Sequence, residues 1–324
     1  MERRKLGNSG LVVSLVGLGC NNLGRPGTAT VDEMGTRAVV DAALDSGITL
    51  FDVADVYGSP RGRSEELLGD ALAGRREQAI IATKFGMGMA GANGPDFDAR
   101  GSRRYIRLAV EASLRRLRTD WIDLYQLHRP DPTTPIEETL SVLDDLVRDG
   151  LVRYLGHSNL TGWQIADLAW TARSHGLTAP VSSQNNYSLL ERDVEREVVP
   201  ACERFGLGLL PYFPLASGLL TGKYSADAPP PERSRLAGRD RLLADAPWPR
   251  IEGLRSLAKR AGVTMLDVAI GGLAAQPAVA SVIAGATRPD QVRANAAAGA
   301  WRPSPEELAA IDEVCSPARS ARHL

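Results

Sequence analysis

The sequence predicts an α/β fold, a (β/α)8 TIM barrel with an N-terminal β-hairpin and long loops at the carboxyl-end face of its strands. Eight short β-branched or apolar runs alternate with longer segments in which apolar residues recur three and four positions apart. This alternation is typical of a parallel sheet, and eight units favour a closed barrel over an open sheet. Two long connections directly follow predicted strands, so both are expected at the face where barrel enzymes build their sites.

The predicted strands are short and are spread along the whole chain. Before the first of them, residues 5–6 and 11–13 flank Asn8, Ser9 and Gly10, a pattern that indicates a small hairpin covering the bottom of the barrel. The eight strands are predicted at residues 15–18, 50–53, 79–84, 122–128, 152–157, 181–184, 207–212 and 281–283.

The two long connections are residues 85–102, rich in glycine and methionine, and residues 213–249, rich in proline. Neither shows a change of composition that would mark a domain boundary. The sequence therefore predicts one barrel domain over residues 1–324.

Composition and charge exclude several classes of function. The chain has 38 Lys and Arg residues against 39 Asp and Glu residues, so no basic surface for nucleic acid is expected. No apolar run reaches the roughly 18 residues of a membrane span, and the basic start is not followed by the apolar run of a signal peptide. Cys20, Cys202 and Cys315 are far apart, as free thiols in a reducing compartment are. A cytoplasmic protein is expected.

Three familiar patterns have weak support. Residues 86–91 read G-x-G-x-x-G, but residues 92–100 contain Asn, Gly, Pro and Asp where a dinucleotide-binding fold needs a helix. Residues 156–160 resemble a nucleophile elbow, yet Leu160 stands where glycine is required. The four histidines lack metal-ligand spacing with one another or with cysteine, so no metal is predicted.

Polar residues at successive strand ends are the stronger signal. Asp52 closes the second predicted strand, Tyr57 follows it, Lys84 ends the third strand and His128 ends the fourth. Each of these residues, taken singly, also has a purely structural explanation. Asp52 could cap a turn, Tyr57 could pack against a loop, and His128 could be a hydrogen-bonded histidine of the core. Lys84 is different, because a buried ammonium needs a charge partner, for which Asp52 is the obvious candidate.

Carbonyl reduction gives these four residues a common purpose. When hydride reaches the carbonyl carbon, the oxygen becomes an alkoxide that has to be protonated. The phenol of Tyr57 has a free pKa of ~10, and a neighbouring lysinium makes it a better proton donor. Asp52 would keep Lys84 charged, and His128 would polarise the carbonyl oxygen through a hydrogen bond.

The sequence resembles the aldo-keto reductase superfamily, in particular its bacterial members that are similar to potassium-channel β subunits. The resemblance covers nearly the whole chain, and its motifs occur in the expected order. They are GLG at 17–19, FDVADVYG at 51–58, ATK at 82–84, DLYQLHRPD at 123–131, GHSN at 156–159, QNNY at 184–187 and PLASGLLTGKY at 214–224.

The resemblance implies Asp52, Tyr57, Lys84 and His128 as catalytic tetrad and NADPH as the usual cofactor. It also implies two sets of cofactor contacts, one at the nicotinamide and pyrophosphate, the other at the adenosine end. The first comprises Ser158, Asn159 and Gln184 at the carboxamide, Tyr212 at the ring, and Pro214, Leu215, Ser217 and Lys223 in a belt over the pyrophosphate. The second comprises Gly285, Thr287, Gln291 and Asn295, and the resemblance puts Lys223 and Arg235, with Gln291 and Thr287, in the neighbourhood of the 2′-phosphate. Arg288 is close to this group in the sequence.

The sequence departs from the family pattern near the adenosine. Ala284 stands where proline is usual, and Ala294 replaces an acidic residue that would contact the adenine amine. On the substrate side we expect Asn21, Phe85 and Met87 to line a pocket of mixed polarity, which fits sugars, aromatic aldehydes and ketones alike.

The expected function is therefore NADPH-dependent reduction of a small-molecule aldehyde or ketone in the cytoplasm, with no nucleic-acid or membrane partner. An oligomer is compatible with the sequence but is not specified by it. One alternative is a cofactor-sensing regulatory subunit with slow turnover. Another is a barrel aldolase in which Lys84 forms a Schiff base, which Asp52 disfavours by keeping the lysine protonated.

Overall fold

A computed structural model describes residues 1–232 and 234–315 of the chain. Eight parallel strands form one sheet whose order follows the sequence, with the last strand returning to the side of the first. The sheet curls into a nearly closed barrel with helices between the strands, so the predicted (β/α)8 class is confirmed. The prediction of a single domain stays a prediction, and its residues 316–324 lie outside the described part of the chain.

The strands agree with the predicted runs to within two residues at each end. The hairpin strands are β1 (Arg3–Lys5) and β2 (Val12–Ser14). The barrel strands are β3 (Val16–Gly19), β4 (Leu50–Asp52), β5 (Ile80–Phe85), β6 (Ile122–Leu127), β7 (Val152–Ser158), β8 (Ser182–Asn186), β9 (Gly208–Tyr212) and β10 (Val282–Gly285).

Helices of the described residues cover the outside of the sheet. They begin and end as follows: α1 (Glu33–Asp45), α2 (Arg63–Ala71), α3 (Arg103–Leu117), α4 (Ile136–Arg148), α5 (Gly162–Ser174), α6 (Val198–Phe205), α7 (Asp240–Ala244), α8 (Trp248–Ala261), α9 (Met265–Ala274), α10 (Pro289–Ala298) and α11 (Pro305–Cys315). Among these described segments no helix combines the length and apolar character that crossing a membrane requires.

The barrel closes between β9 and the residues that lead into β10. The Leu209 amide donates to the Ala278 carbonyl over 2.7 Å, and the Leu209 carbonyl accepts from the Ala280 amide over 2.9 Å. These bonds satisfy backbone groups that an open sheet edge would leave exposed.

Alternate side chains of each strand point into the barrel. Leu50 of β4 and Leu124 of β6 pack with inward residues of neighbouring strands in one buried cluster. By the same alternation Asp52, two residues after Leu50, faces inward nearer the carboxyl end. The polar residues of the candidate site therefore lie directly above an apolar layer.

The predicted hairpin covers the amino-end of the barrel. Its side chains Leu6, Leu11 and Val13 belong to the inward apolar cluster. Gly7 has a φ of +58°, and a Cβ atom there would lie 2.4 Å from the Gly206 carbonyl oxygen. Glycine thus permits the close approach by which the Asn8 amide donates to that same oxygen over 2.8 Å.

The glycine pattern at residues 86–91 lies in a loop, and no helix opens before α3 at Arg103. The pattern is therefore not the phosphate-binding turn of a Rossmann-type fold, in which a helix begins directly after the glycines. Cys20, Cys202 and Cys315 are buried free thiols, as expected.

We expect Leu124→Ala to lower the free energy of unfolding by about 2–5 kcal/mol, because Leu124 is fully enclosed in the inner apolar layer. Leu242→Ala is the matched control, since Leu242 is 51% exposed and should change stability by less than about 0.5 kcal/mol. Urea denaturation of the two variants measures the difference, and equal midpoints would contradict the assigned inner layer.

Candidate active site

The four residues of the predicted tetrad come together at the carboxyl-end mouth of the barrel. Asp52 is the last residue of β4, Lys84 lies near the end of β5, and His128 directly follows β6. Tyr57 belongs to the turn after β4, where its amide donates to the Ala54 carbonyl over 3.1 Å.

A buried ion pair lies at the centre of this group. The Lys84 ammonium, 0% exposed, donates to the two carboxylate oxygens of Asp52 over 2.8 and 2.9 Å. It also donates to the Val53 carbonyl over 3.0 Å. Burial lowers the pKa of Lys84, but Asp52 and Tyr57 outweigh this effect and leave the pKa above its ordinary value. Lys84 is therefore a charged group in a closed environment, with Asp52 as the partner that the sequence predicted.

Tyr57 lies between this ion pair and His128. The Lys84 ammonium is 5.2 Å from the centre of the Tyr57 ring, and the ring centres of Tyr57 and His128 are 5.9 Å apart. Burial raises the pKa of Tyr57, while the charge of Lys84 lowers it and only partly offsets the burial. The effect of the lysine has the expected direction, but the net pKa is raised, so the phenol keeps its proton at neutral pH.

His128 is neutral for the same physical reason. Burial, with contributions from Lys84 and Arg129, lowers the pKa of His128 to about 3. Within the described part of the chain no group forms a hydrogen bond with its Nδ1 atom. A neutral imidazole with one ring N–H is suited to hydrogen-bond a carbonyl oxygen without competing for the proton of Tyr57.

Gln184 contacts the ion pair directly, which the sequence did not reveal. Its side-chain amide donates to Asp52 over 2.7 Å. Asp52 therefore accepts from both Lys84 and Gln184, and Gln184 keeps its side-chain oxygen as an acceptor. The residue assigned by resemblance to the carboxamide is thus also bonded to the tetrad.

The other residues assigned to the nicotinamide form one network beside Gln184. Asn159 donates to the His128 carbonyl over 3.0 Å and to the Ser158 hydroxyl over 2.9 Å. Ser158 donates to the Gln184 carbonyl, and the Tyr212 hydroxyl donates to the Asn159 side-chain oxygen, both over 2.8 Å. The structure therefore brings Ser158, Asn159, Gln184 and Tyr212 together and links them to the tetrad.

The segment that resemblance assigns to the pyrophosphate has an unusual backbone. Ser217 and Gly218, within a 3-10 segment at Ala216–Thr221, both have positive φ angles, so the chain turns sharply there. Pro214 is buried and Leu215 partly buried, whereas Lys223 is exposed with its ammonium 5.1 Å from the Tyr224 ring.

Arg235 lies beyond this segment in the sequence and packs on Phe213, the residue that precedes Pro214. Its guanidinium is 5.4 Å from the ring centre of Phe213. Burial together with the charges of Arg25 and Arg239 lowers the pKa of Arg235. Arg235 is thus subject to the positive charge of two further arginines.

The residues assigned to the adenosine end form a second group after β10. The Thr287 amide and hydroxyl donate to the Gln291 side-chain oxygen over 2.9 and 3.2 Å. Asn295 donates to the Gly285 carbonyl over 3.4 Å. Arg288, by contrast, forms an ion pair with Asp290 at 3.0 Å.

The predicted substrate residues have three different environments. Met87 is partly exposed on the loop after β5, and Asn21 lies beside Gly285, near the second group. Phe85 is wrongly predicted: it is fully buried and stacks on Tyr125 with ring centres 4.8 Å apart. Side chains alternate along β5, so the inward position of Lys84 turns Phe85 outward to the helix layer.

No group of three or more metal-ligating side chains occurs among the described residues. This finding covers three of the four histidines that the sequence offered, since His323 lies outside the described residues.

Comparison with known proteins gives one consistent result. A model of the aldo/keto reductase family matches residues 15–316. A probable voltage-gated potassium channel subunit beta of Oryza sativa subsp. japonica is 36% identical over 309 residues, covering 91% of this chain and 90% of the relative. An uncharacterized oxidoreductase, YrpG, of Bacillus subtilis is also 36% identical, covering 90% of this chain and 89% of the relative. A probable aldo-keto reductase 1 of Glycine max is 36% identical, covering 96% of this chain and 88% of the relative.

We expect the imidazole of His128 to remain neutral at pH 5, because its pKa is lowered to about 3 in the folded protein. Imidazole nitrogen NMR shifts, assigned with a His128→Gln variant, measure this directly. The unfolded chain in urea should protonate near pH ~6.5, so His128 should destabilise the fold progressively as the pH falls from there toward 3. A folded-state titration midpoint near 6.5 would contradict the result expected for His128.

Proposed function

Because this chain belongs to the aldo/keto reductase family, which implies oxidoreductase activity on carbonyl groups, we propose that it reduces an aldehyde or ketone to an alcohol with NADPH as cofactor. The observation that carries the proposal is the buried Lys84–Asp52 ion pair beside the protonated Tyr57.

A bound NADPH would supply the hydride for the carbonyl carbon. The chain would supply the proton: as the π electrons of the C–O bond move to oxygen, the Tyr57 hydroxyl would protonate that oxygen. The resulting phenolate is stabilised by the Lys84 ammonium. Neutral His128 donates a hydrogen bond to the same oxygen and disperses its developing charge. Asp52 keeps Lys84 charged and oriented.

The residues around the site fit such a cofactor. The hydroxyl and amides of Ser158, Asn159 and Gln184 match the donors and acceptors of a carboxamide. Lys223 and Arg235 provide cations for phosphate oxygens. Because the pyrophosphate segment begins at Pro214, directly after β9 and the ring of Tyr212, one extended molecule would contact both sets.

The same resemblance supports a small-molecule substrate and action in the cytoplasm. A second candidate is a cofactor-sensing regulatory subunit, favoured by the similarity to the potassium channel subunit beta of Oryza sativa. Steady turnover of free aldehydes by the isolated chain distinguishes the reductase from this alternative, because a sensor would release its product slowly.

We expect Tyr57→Phe to lower kcat by a factor on the order of 10²–10⁴, since it removes the general acid and leaves the ring in place. The dissociation constant for NADPH should hardly change, because the hydroxyl is needed only when the alkoxide forms. Tyr154→Phe, the same change on a partly buried tyrosine of β7, is the control. A purified Tyr57→Phe protein that keeps most of its activity would overturn the assignment.

We expect NADPH to be preferred over NADH, because a 2′-phosphate carries about two negative charges and a charge-assisted contact contributes ~1.5–3 kcal/mol. Lys223→Ala and Arg235→Ala should each reduce the ratio of kcat/KM for NADPH to that for NADH. Lys259→Ala, on the exposed side of α8, is the control. Equal use of both cofactors would refute the preference, and unchanged ratios in both variants would refute these two residues as its cause.

A further inference from the structure

Asp55 is a buried carboxyl group that the proposed chemistry does not use. It lies two residues before Tyr57 and is fully enclosed. Its Oδ2 atom accepts a hydrogen bond of 2.8 Å from the side-chain amide of Asn93, which is itself buried. Asn93 also donates to the Tyr105 hydroxyl of α3 over 3.4 Å.

Asn93 belongs to the long loop between β5 and α3, residues 86–102. The ends of this loop are fixed by two other contacts: Arg61 donates to the Gly88 carbonyl, and the Gly101 amide donates to Asp131. Asn93 lies between these points and reaches inward instead. Its bond to Asp55 therefore ties the middle of the loop to the turn that carries Tyr57.

The backbone of Asp55 is bonded to the neighbouring strand as well. Its amide donates to the Lys84 carbonyl over 3.2 Å. Asp55 thus connects three segments: β5, which carries Lys84, the turn that carries Tyr57, and the 86–102 loop. A shift of about 1 Å at such a junction moves the reacting groups out of alignment, which can cost on the order of 10²-fold in rate.

The surroundings of the Asp55 carboxyl make its hydrogen bond from Asn93 important. Burial, together with the charge of Glu65 from α2, raises the pKa of Asp55 to about 8, although Arg116 of α3 and the bond from Asn93 lower it. A buried carboxyl is costly unless its oxygens are hydrogen-bonded. The Asn93 amide meets this need at the Oδ2 atom, whereas the Oδ1 atom has no hydrogen-bond partner among the described residues.

We propose that Asp55 and Asn93 form a positioning pair that fixes the 86–102 loop against the Tyr57 turn and so aligns a bound carbonyl substrate with the proton donor. The inference rests on the proposed reductase function for its kinetic part. Its structural part, the anchoring of the loop, is independent of any activity.

The first measurement compares Asn93→Ala with the unmodified protein by hydrogen exchange of the 86–102 amides. Exchange in this loop should become faster while the β5 and β6 strand amides stay protected. Asp98→Asn is the control, because Asp98 lies on the same loop with its side chain 92% exposed. Unchanged exchange in Asn93→Ala would overturn the anchoring.

The second measurement is the kinetics of carbonyl reduction at saturating NADPH. Asn93→Ala should lower kcat/KM for the carbonyl by about 10-fold or more, with the NADPH dissociation constant unchanged. Asp55→Asn keeps an oxygen that accepts from Asn93 and should retain most activity, which covers the case in which Asp55→Ala does not fold. An Asn93→Ala protein with unmodified kinetics would overturn the positioning role.

The double variant Asp55→Ala/Asn93→Ala tests whether the two residues act through one contact. Its loss should be no greater than that of the more damaging single variant, whereas two independent structural roles would give additive losses and overturn the pair. If the unmodified protein reduces no carbonyl compound, the proposed function fails, and the exchange measurement alone decides the anchoring.

Discussion

The rest of the site depends on the ion pair between Lys84 and Asp52. Removing an ammonium and a carboxylate from water costs several kcal/mol per ion, and only close contact and further hydrogen bonds offset this cost. The barrel supplies both, because adjacent parallel strands bring the two side chains to the same inward side. Val53 and Gln184 complete the remaining hydrogen bonds of the pair. Removal of any of these partners would leave a buried charge incompletely compensated.

Burial acts on the neighbouring groups in a single direction, toward their neutral forms. It raises the pKa of Tyr57 and lowers that of His128 to about 3. Around neutral pH the site therefore contains two uncharged hydrogen-bonding groups beside an ion pair with no net charge. An alkoxide formed there would add a negative charge within reach of a proton donor. The low dielectric that makes the ion pair costly also strengthens its effect on that charge.

Much of this arrangement could be predicted from the sequence, because it depends on short-range patterns. Alternating apolar runs located the barrel strands to within two residues, and the polar residues at the ends of those strands gave the tetrad. Phe85 shows where that reasoning was incomplete, since the alternation that directs Lys84 inward also directs Phe85 outward. Strand ends show which residues reach the mouth of the barrel, but the side-chain direction of each must be taken from its parity in the strand.

Other contacts could not be predicted from such patterns. Gln184 and Asp52 are 132 residues apart in the chain, and an amide at a strand end suits several partners equally well. Asn93 lies in a loop without regular periodicity, so nothing in the sequence directs its side chain toward Asp55. The net pKa of Tyr57 could not be predicted either. The neighbouring lysine is visible in the sequence, but the extent of burial depends on the packed fold.

The hairpin at the bottom of the barrel has a consequence for how ligands would enter and leave the barrel. Leu6, Leu11 and Val13 fill the amino-end of the barrel, so apolar side chains of the described residues close this end. If the cofactor and the carbonyl compound of the proposed function both bind at the opposite mouth, they enter and leave by the same route. The ligand that lies deeper then has to bind first and leave last, and its release sets an upper limit on the rate of each cycle. The order of binding would in that case follow from the closed amino-end of the barrel.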